Sequence, residues 1–102
     1  STPKPSSAAS DVYKRQMQII YQRWGLISPE ILFCFQPFLR LDAITRAEVE
    51  HILLKFSLNG MSIVISSANI EDILTICDRV LVIEDNQIQQ EVERNHFLEV
   101  FQ

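Results

Sequence analysis

Glycine is scarce in this 102-residue chain, which has only Gly25 and Gly60. A glycine-rich loop, whose backbone amides and lysine hold the phosphates of a nucleotide, is therefore absent. No apolar run approaches the roughly 20 residues that a membrane-spanning helix needs. An excess of positive charge is also missing, because 9 basic and 13 acidic side chains give a net charge of -4. This balance argues against nucleic acid or an anionic membrane as a direct partner.

Cysteine is equally rare, and the chain contains two, Cys34 and Cys77. Each lies in an apolar segment, so we expect buried free thiols rather than a disulfide. His51 and His96 complete the residue types of a zinc site, but no Cys-x-x-Cys or His-x-x-x-His spacing occurs. The sequence thus predicts no metal site, and its 47% hydrophobic and 22% charged residues are typical of a soluble, cytosolic globular core.

Two helices are predicted in the first sixty residues. The first ends at Ser28-Pro29, because proline cannot continue a helix. Its apolar stripe consists of Met17, Ile20, Tyr21, Trp24 and Ile27. The second begins at Asp42, a suitable N-cap, and ends at Asn59-Gly60. Its predicted buried stripe is Val49, Ile52, Leu53 and Phe56, and the residues predicted to face solvent are Arg46, Glu48, Glu50 and Lys55.

The segments between and after these helices predict strands. Residues 29–37 read as a buried parallel strand, because an apolar run leads into a polar position and a proline. Residues 63–65 read as a second short buried strand. Residues 70–76 suit a short helix that Asn69 opens, with two acidic residues in its first turn.

The last part of the chain predicts a β-hairpin. Residues 79–83 and 87–92 are joined by Asp85-Asn86, and asparagine readily adopts the left-handed conformation that a two-residue turn requires. The order strand, helix, strand, helix, strand favours an α/β fold with a parallel sheet and right-handed crossovers.

Several of these segments resemble the ATPases of ABC transporters. Residues 18–29 resemble the helix after the signature sequence, residues 29–37 the strand that ends in Asp-Glu-Pro, residues 41–43 the D-loop, residues 60–67 the Gly-x-Ser strand, and residues 77–83 the Ser/Ala-Asp-Arg-x-x-Val strand. The resemblance runs without a gap from about Met17 to Val92. Arg23-Trp24 and Ser66-Ser67 are similar to the second nucleotide-binding half of ribose- and galactose-type sugar importers. The resemblance implies a partial P-loop NTPase domain, with a mainly parallel sheet, flanking helices and a C-terminal β-hairpin.

The resemblance also implies where catalytic residues would lie. The family places a magnesium-binding Asp, a catalytic Glu and a γ-phosphate-binding His where this chain has Phe35, Gln36 and Ala68. Phe35 offers no oxygen to a cation, and Gln36 cannot accept a proton from water. We therefore expect no catalytic residue, no metal ligand and no ATP binding by this chain alone, although ATP and Mg²⁺ are implied for the intact family. Asp42 matches the D-loop at the dimer interface, and its role as a helix N-cap explains it equally well.

Residues 1–16 are interpreted as a disordered leader. The string Asp-Val-Tyr-Lys-Arg-Gln at residues 11–16 is what the codons GAT GTG TAT AAG AGA CAG encode, and it resembles the mosaic end of a transposase sequencing adapter read in frame. In residues 1–10 the apolar side chains do not recur at the spacing of a helix or a strand. An adapter-derived artefact is the interpretation we adopt, and a natural flexible leader is the alternative.

Residues 17–102 are accordingly interpreted as the C-terminal part of a degenerate ABC nucleotide-binding domain. The implied role is structural and allosteric, in contact with a second nucleotide-binding half and with membrane permease subunits of a sugar importer. The implied location is cytoplasmic, peripheral on the inner face of the plasma membrane. Two alternatives stay open: a small stand-alone α/β interaction module that binds no nucleotide, and a gene fragment without function.

Overall fold

The computed structural model describes the backbone of residues 5–101 and the side chains of residues 15–101. In chain order the elements are α1 Pro5–Ile27, β1 Ile31–Phe35, α2 Ala43–Leu58, β2 Ser62–Ser66, α3 Ile70–Leu74, β3 Arg79–Glu84, β4 Gln87–Glu93, a 3₁₀ turn Arg94–His96 and α4 Phe97–Val100. The chain is a mixed α/β structure in which α2 connects two parallel strands and a β-hairpin follows.

Helix α1 ends where the sequence predicts and begins much earlier. The amide of Ser28 still donates to the carbonyl of Trp24 at 2.9 Å, and Pro29 then stops the helix. The helix begins at Pro5, so the backbone of residues 5–16 is helical, and the interpretation of residues 1–16 as a disordered leader stays a prediction. Proline suits the first helical turn, and no further proline or glycine interrupts the chain before Gly25. Residues 1–4 of the predicted leader lie outside the described residues, and its adapter origin stays a prediction.

Strands β1 and β2 form the predicted parallel pair, in register from Ile31 opposite Ser62 to Phe35 opposite Ser66. One face of this pair packs on α2. The buried cluster beneath it consists of Leu32, Phe38, Val49, Leu53 and Met61. The predicted stripe of α2 is confirmed, since Val49 and Leu53 are buried and Ile52 and Phe56 are half-buried.

The prediction that β1 and β2 are fully buried is wrong. Phe33 and Phe35 are 74% and 81% exposed, and Val64 on the neighbouring strand is 45% exposed. Successive side chains of a strand point to opposite faces, and among the described residues only one face of this pair is covered by a helix. An apolar run indicates a strand, but it does not say how many layers cover that strand.

The β-hairpin of β3 and β4 is confirmed, and its place in the sheet differs from the prediction. Asp85 and Asn86 have φ of 53° and 62°, the left-handed values of a two-residue turn. Within residues 5–101, β3 pairs with β4 alone, so the structure has one parallel pair and one antiparallel pair rather than a mainly parallel sheet. The hairpin has a buried cluster of its own, formed by Val80, Val92 and Phe97.

Local sequence signals set the end of helix α2 and the start of helix α3. Helix α2 ends at Asn59 and Gly60, and Gly60 has a φ of 96°, which favours glycine. Asn69 caps α3 by accepting a hydrogen bond from the amide of Glu71 at 3.1 Å, as predicted. Helix α3 is two residues shorter than predicted and ends at Leu74.

Candidate functional site

The carboxyl ends of β1 and β2 meet at one edge of the parallel pair. The amide of Gln36 donates to the carbonyl of Ser66 at 2.7 Å, directly beyond the last paired residues. Phe35 and Gln36 therefore lie beside the segment that continues through Ser67 to Ala68. In parallel α/β sheets ligands bind at this edge, outside the carboxyl ends of the strands. We call this edge the candidate site.

The side chains at the candidate site have little capacity for chemistry. Gln36, with a left-handed φ of 49°, is half-buried and carries an amide that neither takes up nor releases a proton near neutral pH. Phe35 contributes an exposed aromatic ring and Ala68 an exposed methyl group. None of the three offers a carboxylate or an imidazole. These three side chains therefore offer neither a charged ligand for a magnesium ion nor a base for a water molecule.

Gln36 also begins the turn that leads to α2. The amide of Leu39 donates to the carbonyl of Gln36 at 3.2 Å, and Arg40 has a φ of 60°. This turn inserts Phe38, which is 5% exposed, into the main core. The candidate site is thus attached to the core directly through Phe38.

Asp42 lies at the end of this turn and caps α2. Its Oδ1 accepts a hydrogen bond from the amide of Thr45 at 2.7 Å, which satisfies one of the open amides of the first helical turn. The predicted N-cap role is confirmed. Its D-loop role at an interface stays a prediction, and Asp42 is exposed to solvent.

A cluster around Arg46 was not predicted from the sequence. Arg46 was expected to face solvent, but its Nε is 3.1 Å from Oε1 of Glu50 and its Nη1 is paired with Oδ1 of Asp72. Its guanidinium carbon lies 5.0 Å from the centroid of the Phe38 ring, within cation–π range. The hydrogen bond to Glu50, followed by that to Asp72, raises the pKa of Arg46.

This Arg46 cluster ties three elements together next to the candidate site: the turn through Phe38, helix α2 and the first turn of α3. Asp72 is 8% exposed, and charged residues are rarely that buried without a partner. The spacing of Arg46 and Glu50, four residues apart on α2, predicts their ion pair. No local signal predicts Asp72 as the other partner, because that contact depends on how α3 packs against α2. The cluster can fix the geometry of the site edge without touching a ligand.

Both cysteines are free and half-buried, rather than fully buried as expected. Burial raises the pKa of the Cys34 thiol. Burial, together with the nearby charge of Asp78, raises the pKa of the Cys77 thiol, and Arg94 opposes this shift. Both side chains are therefore protonated thiols near neutral pH, which are weak nucleophiles. No group of three or more His, Cys, Asp or Glu side chains suited to a metal ion occurs among the described residues.

Within residues 5–101, none of the helices combines the length and the apolar character that a membrane crossing requires.

Comparison with known proteins finds sequence similarity to sugar-import ATP-binding proteins. A protein of Geobacillus kaustophilus named as a ribose/galactose/methyl galactoside import ATP-binding protein is 32% identical over 79 residues, which are 78% of this chain. A similarly named protein of Halalkalibacterium halodurans is 30% identical over 79 residues, and a ribose import ATP-binding protein of Clostridium perfringens is 28% identical over 80 residues. The chain is similar to the C-terminal part of ribose/galactose import ATP-binding proteins.

The similarity covers most of this chain and a small part of its relatives. The chain spans 15% to 16% of the length of these three sugar-import proteins. No family model matches the sequence. The comparisons therefore support the resemblance inferred from residues 17–92, whereas the roles of single site residues are not tested by them.

Proposed function

We propose that the chain is the C-terminal part of the ATP-binding subunit of a ribose- or galactose-type ABC importer, with a partial P-loop NTPase fold. The observation that carries this proposal is the 28% to 32% identity to sugar-import ATP-binding proteins over 78% of the chain. The parallel pair β1–β2 and the helix between them are consistent with it.

Within that subunit we assign the chain to a degenerate half that does not hydrolyse ATP. Hydrolysis requires an oxygen ligand for magnesium and a base for the attacking water. Phe35, Gln36 and Ala68 occupy the positions where the family resemblance implies these groups. The half acts as a structural and allosteric partner, whose Asp42 turn contacts a second nucleotide-binding half. The permease subunits hold it at the cytoplasmic face of the membrane.

Nucleotide binding tests the degenerate character. Equilibrium titration of the purified chain with a fluorescent ATP analogue and Mg²⁺ is expected to show no saturation up to about 1 mM, where ordinary enzymes are saturated. The ribose import ATP-binding protein of Clostridium perfringens serves as the positive control. Saturable, magnesium-dependent binding by the chain would refute this assignment.

Association with a nucleotide-binding half tests the partner role. The chain is titrated into the same Clostridium protein, and we expect saturable binding that Asp42→Ala weakens. Asn69→Ala is the matched control, because it also removes a helix N-cap hydrogen bond but lies outside the turn that contains Asp42. Equal weakening by the two variants would mean that Asp42 acts only through helix stability.

A further inference from the structure

The segment from the end of β1 to the cap of α2, residues 36–42, has an unusual backbone. We call it the site turn, because it begins at the candidate site. Two of its residues, Gln36 and Arg40, have left-handed φ of 49° and 60°. This conformation is costly for residues other than glycine, and it persists only where surrounding contacts hold it. The two backbone hydrogen bonds within the turn are 3.2 and 3.4 Å long, at or beyond the usual limit, so contacts from outside the turn must help to hold it.

One guanidinium group contacts both the site turn and helix α3. The buried residue of the turn is Phe38, and its ring centroid lies 5.0 Å from the guanidinium carbon of Arg46. The same group donates through Nη1 to Oδ1 of Asp72 on α3 and through Nε to Glu50 on its own helix. The side chains of Arg46 and Asp72 are 30% and 11% exposed, so water screens this pair less than a surface pair. Because a guanidinium is planar and rigid, these contacts together fix its orientation.

Helix α3 in turn packs against the β-hairpin. Its apolar side chains contact the hairpin cluster, and they are Ile70, Ile73 and Leu74. Asp72 lies among them in the sequence but contacts Arg46 of α2 instead. Among the described residues, the main core and the hairpin cluster have no member in common. The ion pair between Arg46 and Asp72 is therefore one of the contacts that join two separately packed parts of the chain.

We propose that Arg46 is a positioning residue that couples the site turn to α3 and the hairpin, so that the turn and α3 open together. When Asp72 moves away, Arg46 loses the partner that holds it over Phe38, and the site turn loses an outside contact. Displacement of the turn acts on α3 through the same group, because coupling between two sites is reciprocal. The turn ends at Asp42, so a contact made there is transmitted to the hairpin. All these contacts lie within the chain, and the inference does not depend on the proposed function.

Native-state hydrogen exchange of the unmodified chain, followed by NMR in increasing urea, tests whether the two segments open as one unit. The reporters are the amides of Leu39 and Leu41 in the site turn and of Ile76 and Cys77 after α3, which all donate to backbone carbonyls. We expect a common opening free energy and a common urea dependence for these four amides, because one cooperative unit has one opening. This free energy should be lower than that of the Leu53 amide in the middle of α2. Different values for the two segments, or opening only together with Leu53, overturn the proposal.

Substitutions on α3 test whether the coupling passes through the ion pair. Asp72→Asn should speed the exchange of the site-turn amides about 5-fold or more, the low end of ordinary coupling between two sites. Glu71→Gln is the matched control, because it makes the same change of charge at the preceding, exposed position of the same helix. It should leave the exchange of the turn unchanged. Wild-type exchange of the turn in Asp72→Asn, or an equal effect of Glu71→Gln, contradicts the coupling.

A combined variant tests the role of Arg46 itself. Arg46→Met removes the guanidinium and keeps an apolar stem in its place. In the Arg46→Met chain, Asp72→Asn should have no further effect on the exchange of the site turn, because the connection is already lost. The full effect of Asp72→Asn in that chain would show that the turn depends on α3 by another contact, and would overturn the assignment. The measurement on the unmodified chain decides the case if a variant does not fold.

Discussion

The side chain of Asp72 links α3 to α2 through its ion pair with Arg46. We expect Asp72→Ala to lower the free energy of unfolding by about 1 to 2 kcal/mol, less than for a fully buried pair because the Arg46 side chain is 30% exposed. Urea denaturation measures this loss. Glu50→Ala removes the other acid of the cluster, at a 27% exposed side chain, and should cost less than about 1 kcal/mol. A larger loss for Glu50→Ala would contradict this order.

The thiol of Cys34 should make stability depend on alkaline pH. Its folded pKa is raised by burial, so the unfolded chain releases the proton at lower pH than the folded chain does. The stabilisation is complete below the unfolded pKa of about 8.5 and is lost as pH rises through the folded pKa. We expect the free energy of unfolding to fall more steeply between about pH 8 and 10 for the wild type than for Cys34→Ala. Parallel curves would contradict this prediction.

For the residues of the candidate site, the sequence predicted their place in a strand better than their exposure to solvent. Phe35 and Gln36 end a strand as expected, because an apolar run before Gln-Pro is a local signal. The exposure of Phe35 was missed, since burial depends on which layer covers that face. The pairing of Arg46 with Asp72 was missed for the same reason, as these residues are 26 positions apart in the chain.

At the scale of elements, helix ends and the hairpin turn could be predicted because capping side chains, Pro29, Gly60 and the Asp85-Asn86 pair act within a few residues. The pairing of β3 could not, because alternation of strands and helices does not specify which sheet edge a strand joins. In the structure the backbone of β3 forms its strand hydrogen bonds with β4 instead. Helix α1 extends beyond its apolar stripe, which shows that helical backbone does not require an amphipathic pattern in every turn.

The cap of α2 gives a prediction at this scale. Asp42→Ala removes the hydrogen bond to the amide of Thr45 and should cost about 1 kcal/mol of stability, measured by thermal or urea unfolding. Asp42→Asn is the matched control and should cost little, since asparagine is an equally good N-cap. An Asn variant as unstable as the Ala variant would mean that the charge of Asp42 matters more than its capping oxygen.

The molecule as a whole is extended for its length, and its buried clusters are small. The radius of gyration is 15.7 Å, against about 12.8 Å expected for a compact chain of this length. The apolar residues are divided between two small clusters, one under β1 and β2 and one in the hairpin. A small chain with two small clusters has a narrow margin of stability, and any contact that covers exposed apolar side chains such as Phe33 and Phe35 would widen it.

Removal of residues 1–16 tests how much of α1 the fold needs. Among the described side chains, those of α1 that pack against the main core are Met17 and Tyr21. We therefore expect the deletion to change the melting temperature by less than about 4 °C, which corresponds to under about 1 kcal/mol in a domain of this size. The measurement is thermal unfolding followed by circular dichroism at a fixed chain concentration, because the midpoint of a chain that associates depends on its concentration.

A longer deletion, of residues 1–21, is the matched control for that experiment. It also removes Met17 and Tyr21, and loss of two partly buried apolar side chains should lower stability by about 2 kcal/mol or more. If the two deletions were equally destabilising, residues 5–16 would have a structural role of their own, and their interpretation as an appended leader would be wrong. If only the longer deletion is destabilising, the folded unit needs residues 17–21, which agrees with a resemblance to ABC transporter ATPases that was inferred to begin at about Met17.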